Sequence, residues 1–459
     1  MDSMVFYEDD FESQCHDHLD QDLDADYEYE YAEETAVDLY DLCLKPTLQH
    51  TVEHLIPLIL ASFLFKIVAQ CTYTPNKLMH GASIILGFAI LYNYVPESLY
   101  LLAIFTIASY IYLQLPKKYR SGIGVFIPSI FVILYCELSM EAASWHKIRG
   151  VVMIAVMKEI SIAVDQNESN HKPPVLWQYV GYLVSPVTSI FGPWISFKDY
   201  SELHRQGSWN LKWIFSTVGY FALALVFISI SNCGASWILT ENSGKWLQAY
   251  RDALSFRMSH YFVSYTSSSI LLLGGLPFAR TTITKPMEIE FPRSLVQVVI
   301  SWNIPMHSWL KTYIFRPGRR QLGKFGGILL TYLASSLLHG LNFQLAAVLL
   351  SLGFYTYIEF EIRSVLSTVF DACITSKKCP DNKCSHQRIA ANCWWVTAVN
   401  LAFSALSIFH LAYLGLMFDT SELQETGYSY LHTIEKWSQL GFASHWIAFV
   451  TYCAYFLIR

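Results

Sequence analysis

GGILLTYLASSLLHGLNFQLAAVLLSLGF, residues 326–354, is a run of apolar and small side chains with no Asp, Glu, Lys or Arg. A membrane-spanning helix needs about 20 mostly apolar residues, so the stretch is long enough to cross a bilayer. It predicts a long buried helix with His339 near the middle. Imidazole is the side chain that takes a proton near neutral pH without a large pKa shift. A lone core histidine often only hydrogen-bonds a neighbour. In a span this apolar, an ionisable group is costly and points to function. The adjacent small residues Ser335 and Ser336 let another helix or a substrate come close.

Upstream lies PRSLVQVVISWNIPMHSWLKTYIF, residues 292–315. Pro305 lacks a backbone N–H and biases Ile304 away from helix, so a break is expected there. Asn303 at that break could donate its amide to a developing oxyanion. An interfacial turn flanked by Trp302 and Trp309 is the competing reading.

The same pattern recurs from about residue 51 to the end. Of 459 residues, 53% are hydrophobic, 15% aromatic and only 15% charged. Soluble chains are usually about 25% charged, so the deficit calls for lipid. We expect an all-α polytopic membrane protein of about eleven transmembrane helices, some re-entrant or broken at prolines such as Pro57, Pro128, Pro186 and Pro193. That architecture suits an intramembrane enzyme or a transporter. A transporter usually shows a repeat of its spans, and none is visible.

The net charge of −6 averages two unlike pieces. Residues 1–44 carry sixteen acids and no Lys or Arg, leaving 21 acids against all 31 bases, a net of +10, for the rest. The expected organisation is an acidic disordered tail, 1–44, ahead of a multi-span catalytic domain, 45–459. The amino terminus has no basic n-region or early apolar h-region, so the first span is expected to act as signal anchor. Basic clusters at Lys117, Lys118 and Arg120, at Arg316–Lys324 and at Lys377–Arg388 mark cytosolic loops. The side on which the tail lies stays open at this stage.

Cys373, Cys379, Cys384 and Cys393 crowd one basic loop with His386. Their gaps of five, four and eight residues do not fit a zinc ribbon, whose paired ligands are two to four apart, so no metal is expected. Reduced thiols in an ordinary connection, or S-acylation, are the readings kept. Two segments, WHKIRG (145–150) and FGPWISF (191–197), could meet anionic head groups or nucleotide phosphates, or serve as snorkelling anchors. Walker A, GxSxG, HExxH and GxGxxG motifs are missing.

Asn303 followed thirty-six residues later by a histidine in an apolar run resembles the membrane-bound O-acyltransferase (MBOAT) family. The likeness is strongest to its Wnt-modifying members and runs from about residue 50 to the end. It is carried by WHKIRG, FGPWISF, PRSLVQVVISWNIPMHSWL, SSLLHGLNFQLAAVLLSLGFYTYIE, CPDNKCSHQ, IFHLAYLG and KWSQLGFASHWI. The resemblance implies a protein-serine O-palmitoleoyltransferase of the endoplasmic reticulum membrane. It would move palmitoleate from palmitoleoyl-CoA, the acyl donor, to a serine of Wnt proteins, with membrane lipids around it. No permanently bound cofactor and no nucleic acid are implied. His339 falls on the family's catalytic histidine and Asn303 on its asparagine. Tyr332 and Ser335, with Trp302, Trp309 and Tyr313, form the expected substrate-binding set. Gln344 stands where relatives carry a second histidine, and RPGRRQLGKFGG (316–327) departs from the family pattern. A lysophospholipid O-acyltransferase of the same fold is the alternative.

Overall fold

The computed structural model describes residues 36–70, 76–119, 124, 126–169, 173–203, 209–240, 243–340, 342–379, 384–418 and 430–459. Among them the secondary structure is all-helical, apart from one isolated bridge between Ala372 and Arg388.

The body starts with α1 (Lys45–Gln70), α2 (Asn76–Tyr94) and α3 (Leu99–Gln114). Most of the acidic tail lies outside the described residues. Its last part, 36–44, is helical and leads straight into α1. A disulfide from Cys43 to Cys233 pins that end.

Next come α4 (Ile127–Ser139) and α5 (Ala142–Ser169). Every residue from Val151 to Ala163 is buried, the signature of a helix surrounded on all sides. Lys158 survives there because its ammonium donates to the Tyr182 and Leu183 carbonyls (2.8 and 3.0 Å) and to Thr188 Oγ1 (2.8 Å). Those carbonyls end α6 (Leu176–Leu183), where helical C=O groups lack intrahelical partners and a cation is favoured.

α7 (Leu211–Ser229) and α8 (Lys245–Leu273) pack antiparallel, tied at one end by Trp213 Nε1–H to the Leu272 carbonyl and at the other by Ser231 to Ser255. Asn210 caps α7 by accepting from the Trp213 amide. Then follow the short α9 (Leu295–Trp302) and α10 (Ile304–Trp309), a π-helical turn, and α11 (Arg316–Leu338). α11 is bent back on itself at Gly323 (φ 74°), which brings Gly318 against Gly327 and Leu330. α12 (Phe343–Val369) and α13 (Trp394–Gly415) run antiparallel, with Arg363 beside Asn400 and Tyr355 beside His410. α14 (Tyr430–Gln439) and α15 (Ala443–Ile458) meet at a 76° bend.

Four described helices are long and apolar enough to cross a membrane, or five if α14 and α15 count as one. The expected eleven crossings are not reached by that measure, because helices such as α3 and α4 are short and α9–α11 are broken.

Candidate active site

The break after α11 sets the first catalytic candidate. α11 ends at Leu338, His339 caps it (φ −89°, ψ 6°), Gly340 turns at φ 90°, and Asn342 Oδ1 caps α12 by accepting from the Leu345 amide. His339 therefore sits between two helices, which corrects the expectation of a mid-helix position. The cause is local: Gly340 tolerates a left-handed turn, and Asn342 offers a side-chain acceptor that starts a new helix. A Cβ on Gly340 would also strike Glu137 Oε2, which already accepts from Trp145 Nε1. Arg149 of α5 donates from Nη1 to the His339 carbonyl at 3.2 Å.

The second break falls where Pro305 predicts it. Asn303 is extended (φ −144°, ψ 91°) between α9 and α10, and its Oδ1 accepts from the Met306 amide at 3.0 Å. With the oxygen committed to the cap, the amide's chemistry toward a ligand is that of its NH2 donor. The freed backbone is met by a strap at 283–285. Ile304 N–H donates to the Ile283 carbonyl, and Lys285 N–H and Thr284 Oγ1 donate to that of Ser301. His260 Nε2 donates to the Trp302 carbonyl (2.8 Å) while its ring stacks on the indole at 4.2 Å.

Both breaks open on one cavity of about 460 Å³, inside the ~300–1,000 Å³ range of small-molecule sites. His339, Asn303, Trp302, Tyr332 and Ser335 all line it. Val348, Leu349 and Leu352 of α12 and Leu411 and Leu414 of α13 give it apolar walls. Lys311 and Lys377, both exposed, supply the cationic part, and Arg257 and His307 also line the cavity. An apolar chamber holding a histidine, an amide donor and a basic rim suits an acyl chain attached to a polyanionic carrier.

Trp309 and Tyr313 are not among the lining residues. Trp309 Nε1–H donates to the Met157 carbonyl of α5 at 3.0 Å, and Tyr313 OH donates to Asp165. They lock the π-turn onto the central helix. Gln344 is buried and donates to the Met417 carbonyl. Within WHKIRG, Arg149 is only 8% exposed and turned inward, whereas Lys147 is exposed. Trp194 of FGPWISF likewise donates to Ser161 of α5.

Sequence reasoning missed the support behind Trp302. Arg257 pairs bidentately with Glu290 at 2.8 and 3.0 Å, and Tyr261 OH donates to the same carboxylate. The available signal was the ionisable pair Arg257 and His260 at the head of an apolar run.

The expectation of no metal rested on linear spacing alone. Cys373, Cys379, Cys384 and His386 place one ligand atom each within 4.8 Å of one another, whereas Cys393 packs beside Ala372, Ile374 and Val396. Linear spacing does not show this proximity, because the loop's two arms are joined by the Ala372–Arg388 bridge, which makes distant cysteines neighbours.

Comparison with known proteins decides the family. The model of the MBOAT, membrane-bound O-acyltransferase family, matches residues 129–370, a segment that contains both Asn303 and His339. The chain belongs to the membrane-bound O-acyltransferase family. It is an O-acyltransferase and a multi-pass membrane protein. The Homo sapiens protein-serine O-palmitoleoyltransferase porcupine is 37% identical over 91% of this chain and 96% of its own length. The Anopheles gambiae protein of the same name is 33% identical over 99% and 100%. Arabidopsis thaliana lysophospholipid acyltransferase 2 is 23% identical over 48% of this chain and 59% of its own.

Proposed function

We propose that this chain is a protein-serine O-palmitoleoyltransferase of the endoplasmic reticulum membrane that takes palmitoleate from palmitoleoyl-CoA and places it on a serine of Wnt proteins. The observation that carries the chemistry is the shared cavity of His339 and Asn303, apolar inside and cationic at Lys311 and Lys377. The acceptor and chain length are supported by the names of relatives that match nearly the whole chain.

A serine hydroxyl attacks a thioester poorly until a base removes its proton. His339 takes that proton as the serine oxygen bonds to the carbonyl carbon, and general-base assistance is worth roughly 10²–10⁴-fold. Asn303 donates to the oxyanion of the tetrahedral intermediate, an effect worth about 3–4 kcal/mol. The C–S bond then breaks, and the CoA thiolate leaves with the proton from the imidazolium. Lys311 and Lys377 pair with CoA phosphates at the cavity rim. The acyl chain lies against Val348, Leu349 and Leu352.

The test uses labelled palmitoleoyl-CoA, a Wnt-derived serine peptide and membrane lipid, with wild type, His339→Ala and Asn303→Ala side by side. Label on the peptide, lost in both variants, is the expected result. Label on lysophospholipid instead establishes the alternative. Wild-type transfer by His339→Ala removes the base assignment. Acyltransferase membership sets the transporter reading aside.

A further inference from the structure

The cysteine loop gathers four side chains of metal-ligating type. Tetrahedral zinc with Zn–S near 2.3 Å and Zn–N near 2.0–2.1 Å places its ligand atoms about 3.4–3.8 Å apart. Here His386 Nδ1 stands 3.7 Å from Cys379 Sγ and 3.4 Å from Cys384 Sγ, and Cys373 Sγ lies in the same group. None of the three cysteines is in a disulfide.

The surroundings prepare the ligands. Ser367 Oγ–H donates to the Ala372 carbonyl at 2.6 Å, so its oxygen is left to accept from His386 Nε2, 2.9 Å away. That fixes the tautomer with the proton on Nε2 and the Nδ1 lone pair toward the sulfurs. A histidine ligand held by a hydrogen bond from its other ring nitrogen is the usual arrangement at protein metal centres. The arm that carries Cys373 is held as firmly. Arg293 Nη2–H and Asn400 Nδ2–H donate to the Cys373 carbonyl (2.9 and 3.2 Å), Arg363 to those of Ile374 and Thr375, and Ser294 to that of Ser376. Cys373 N–H donates to the Arg388 carbonyl across the bridge (2.8 Å). A site whose histidine is already held by Ser367 and whose arms are clamped needs little reorganisation to bind an ion.

We propose that Cys373, Cys379, Cys384 and His386 bind one structural Zn²⁺. Three soft thiolates and one imidazole gathered in one compact group favour zinc over hard cations, and with all four positions filled by protein the ion is structural. Binding displaces the thiol protons and leaves a site of net charge −1, close to Arg388 and Lys378 of the same loop. The ion ties the loop that carries Lys377, which lines the cavity rim with His307 and Lys311. This last consequence rests on the acyl-CoA reading of the cavity, whereas the metal itself does not.

The experiment is elemental analysis of the full-length protein purified in detergent. One zinc per chain is expected in wild type and in Cys393→Ser, falling at least fivefold in Cys379→Ser and Cys384→Ser. Zinc below a tenth per chain in wild type, or retained in full by Cys379→Ser, overturns the proposal. Because misfolding of the variants would also release zinc, wild-type protein is also exchanged with Co²⁺. Intense visible d–d bands with thiolate-to-cobalt charge transfer support a tetrahedral thiolate site, and a weak octahedral spectrum overturns it. With zinc confirmed, the KM for acyl-CoA should rise severalfold on chelation, with kcat changed far less. An unchanged KM would reject the Lys377 consequence and leave the metal site standing.

Discussion

The Arg149 guanidinium donates to the backbone carbonyl of His339 at 3.2 Å, so a cation from the buried helix α5 holds the break on which the candidate base sits. That carbonyl is one of the C-terminal groups of α11 left without an intrahelical partner, and a charged donor suits it. Hydrogen bonds to charged groups contribute about 1.5–3 kcal/mol. The contact joins WHKIRG to the catalytic break across 190 residues of sequence.

Arg149→Met is expected to lower kcat about tenfold or more while the KM for acyl-CoA stays within about twofold, the loss corresponding to a bond of about 1.5–3 kcal/mol. Arg149→Lys restores part of it, since an ammonium can still donate. Steady-state kinetics on detergent-purified protein decides the matter. Wild-type turnover per folded molecule in Arg149→Met is the refuting result.

Asn303 has two tasks that substitution can separate. Its Oδ1 caps α10, and its amide nitrogen is the proposed oxyanion donor. Asn303→Asp keeps the cap acceptor and lacks the donor, so it should keep wild-type thermal stability and lose roughly 10²–10³-fold in kcat. Asn303→Ala loses both, with about 1 kcal/mol of stability gone as well. Near-wild-type activity in Asn303→Asp would assign the residue to capping alone.

Gly353 of α12 faces the Tyr332 ring so closely that a Cβ there would lie 2.7 Å from Tyr332 Cδ2. Tyr332 lines the cavity, so Gly353→Ala should push the ring into it and shorten the preferred acyl chain. Competition between C12, C14 and C16 acyl-CoA donors measures the shift. An unaltered chain-length profile would show that the ring moves elsewhere.

Arg363 is fully buried and bonds Glu359 Oε1 at 2.9 Å, while Glu359 Oε2 accepts from the Leu295 amide that opens α9. Removing one partner of a buried ion pair strands the other charge, at a cost of about 3–5 kcal/mol. Arg363→Met should therefore unfold at much lower temperature than wild type. The double variant Arg363→Met with Glu359→Gln should recover part of the loss, because no carboxylate is left stranded. Equal melting temperatures for the single and double variants would contradict this account.

The Cys43–Cys233 disulfide places the start of α1 in an oxidising compartment. α1, α2 and α3 separate it from Lys117 and Lys118. Counted as three crossings, these helices set the lysines on the opposite, cytosolic face, as the positive-inside rule asks. A tag at the amino terminus should be protected from protease in sealed microsomes and cut once detergent is added. Cleavage in intact vesicles would reverse the orientation.

Several of these features were legible in the linear chain. Pro305 marks the break at Asn303 because a missing N–H acts within a few residues. The lone His339 stands out because charge is scarce in a span. The split between an acidic start and a basic body needs only counting. The glycine and asparagine flanking His339 carried the signal of a helix break, yet the apolar run around them masked it.

The sequence by itself determined what short-range chemistry and composition control: an all-helical membrane body, the break at Pro305, and the scarcity that singles out His339 and Asn303. Tertiary structure alone decided which groups meet. It put Tyr332 and Ser335 on the cavity and Trp309 and Tyr313 on α5, set Arg149 on the His339 carbonyl, and gathered Cys373, Cys379, Cys384 and His386 across the Ala372–Arg388 bridge. The reason is physical. Periodicity and turn propensity report on the nearest few residues, whereas a cavity and a ligand cluster arise where helices distant in sequence pack together and satisfy one another's buried polar groups.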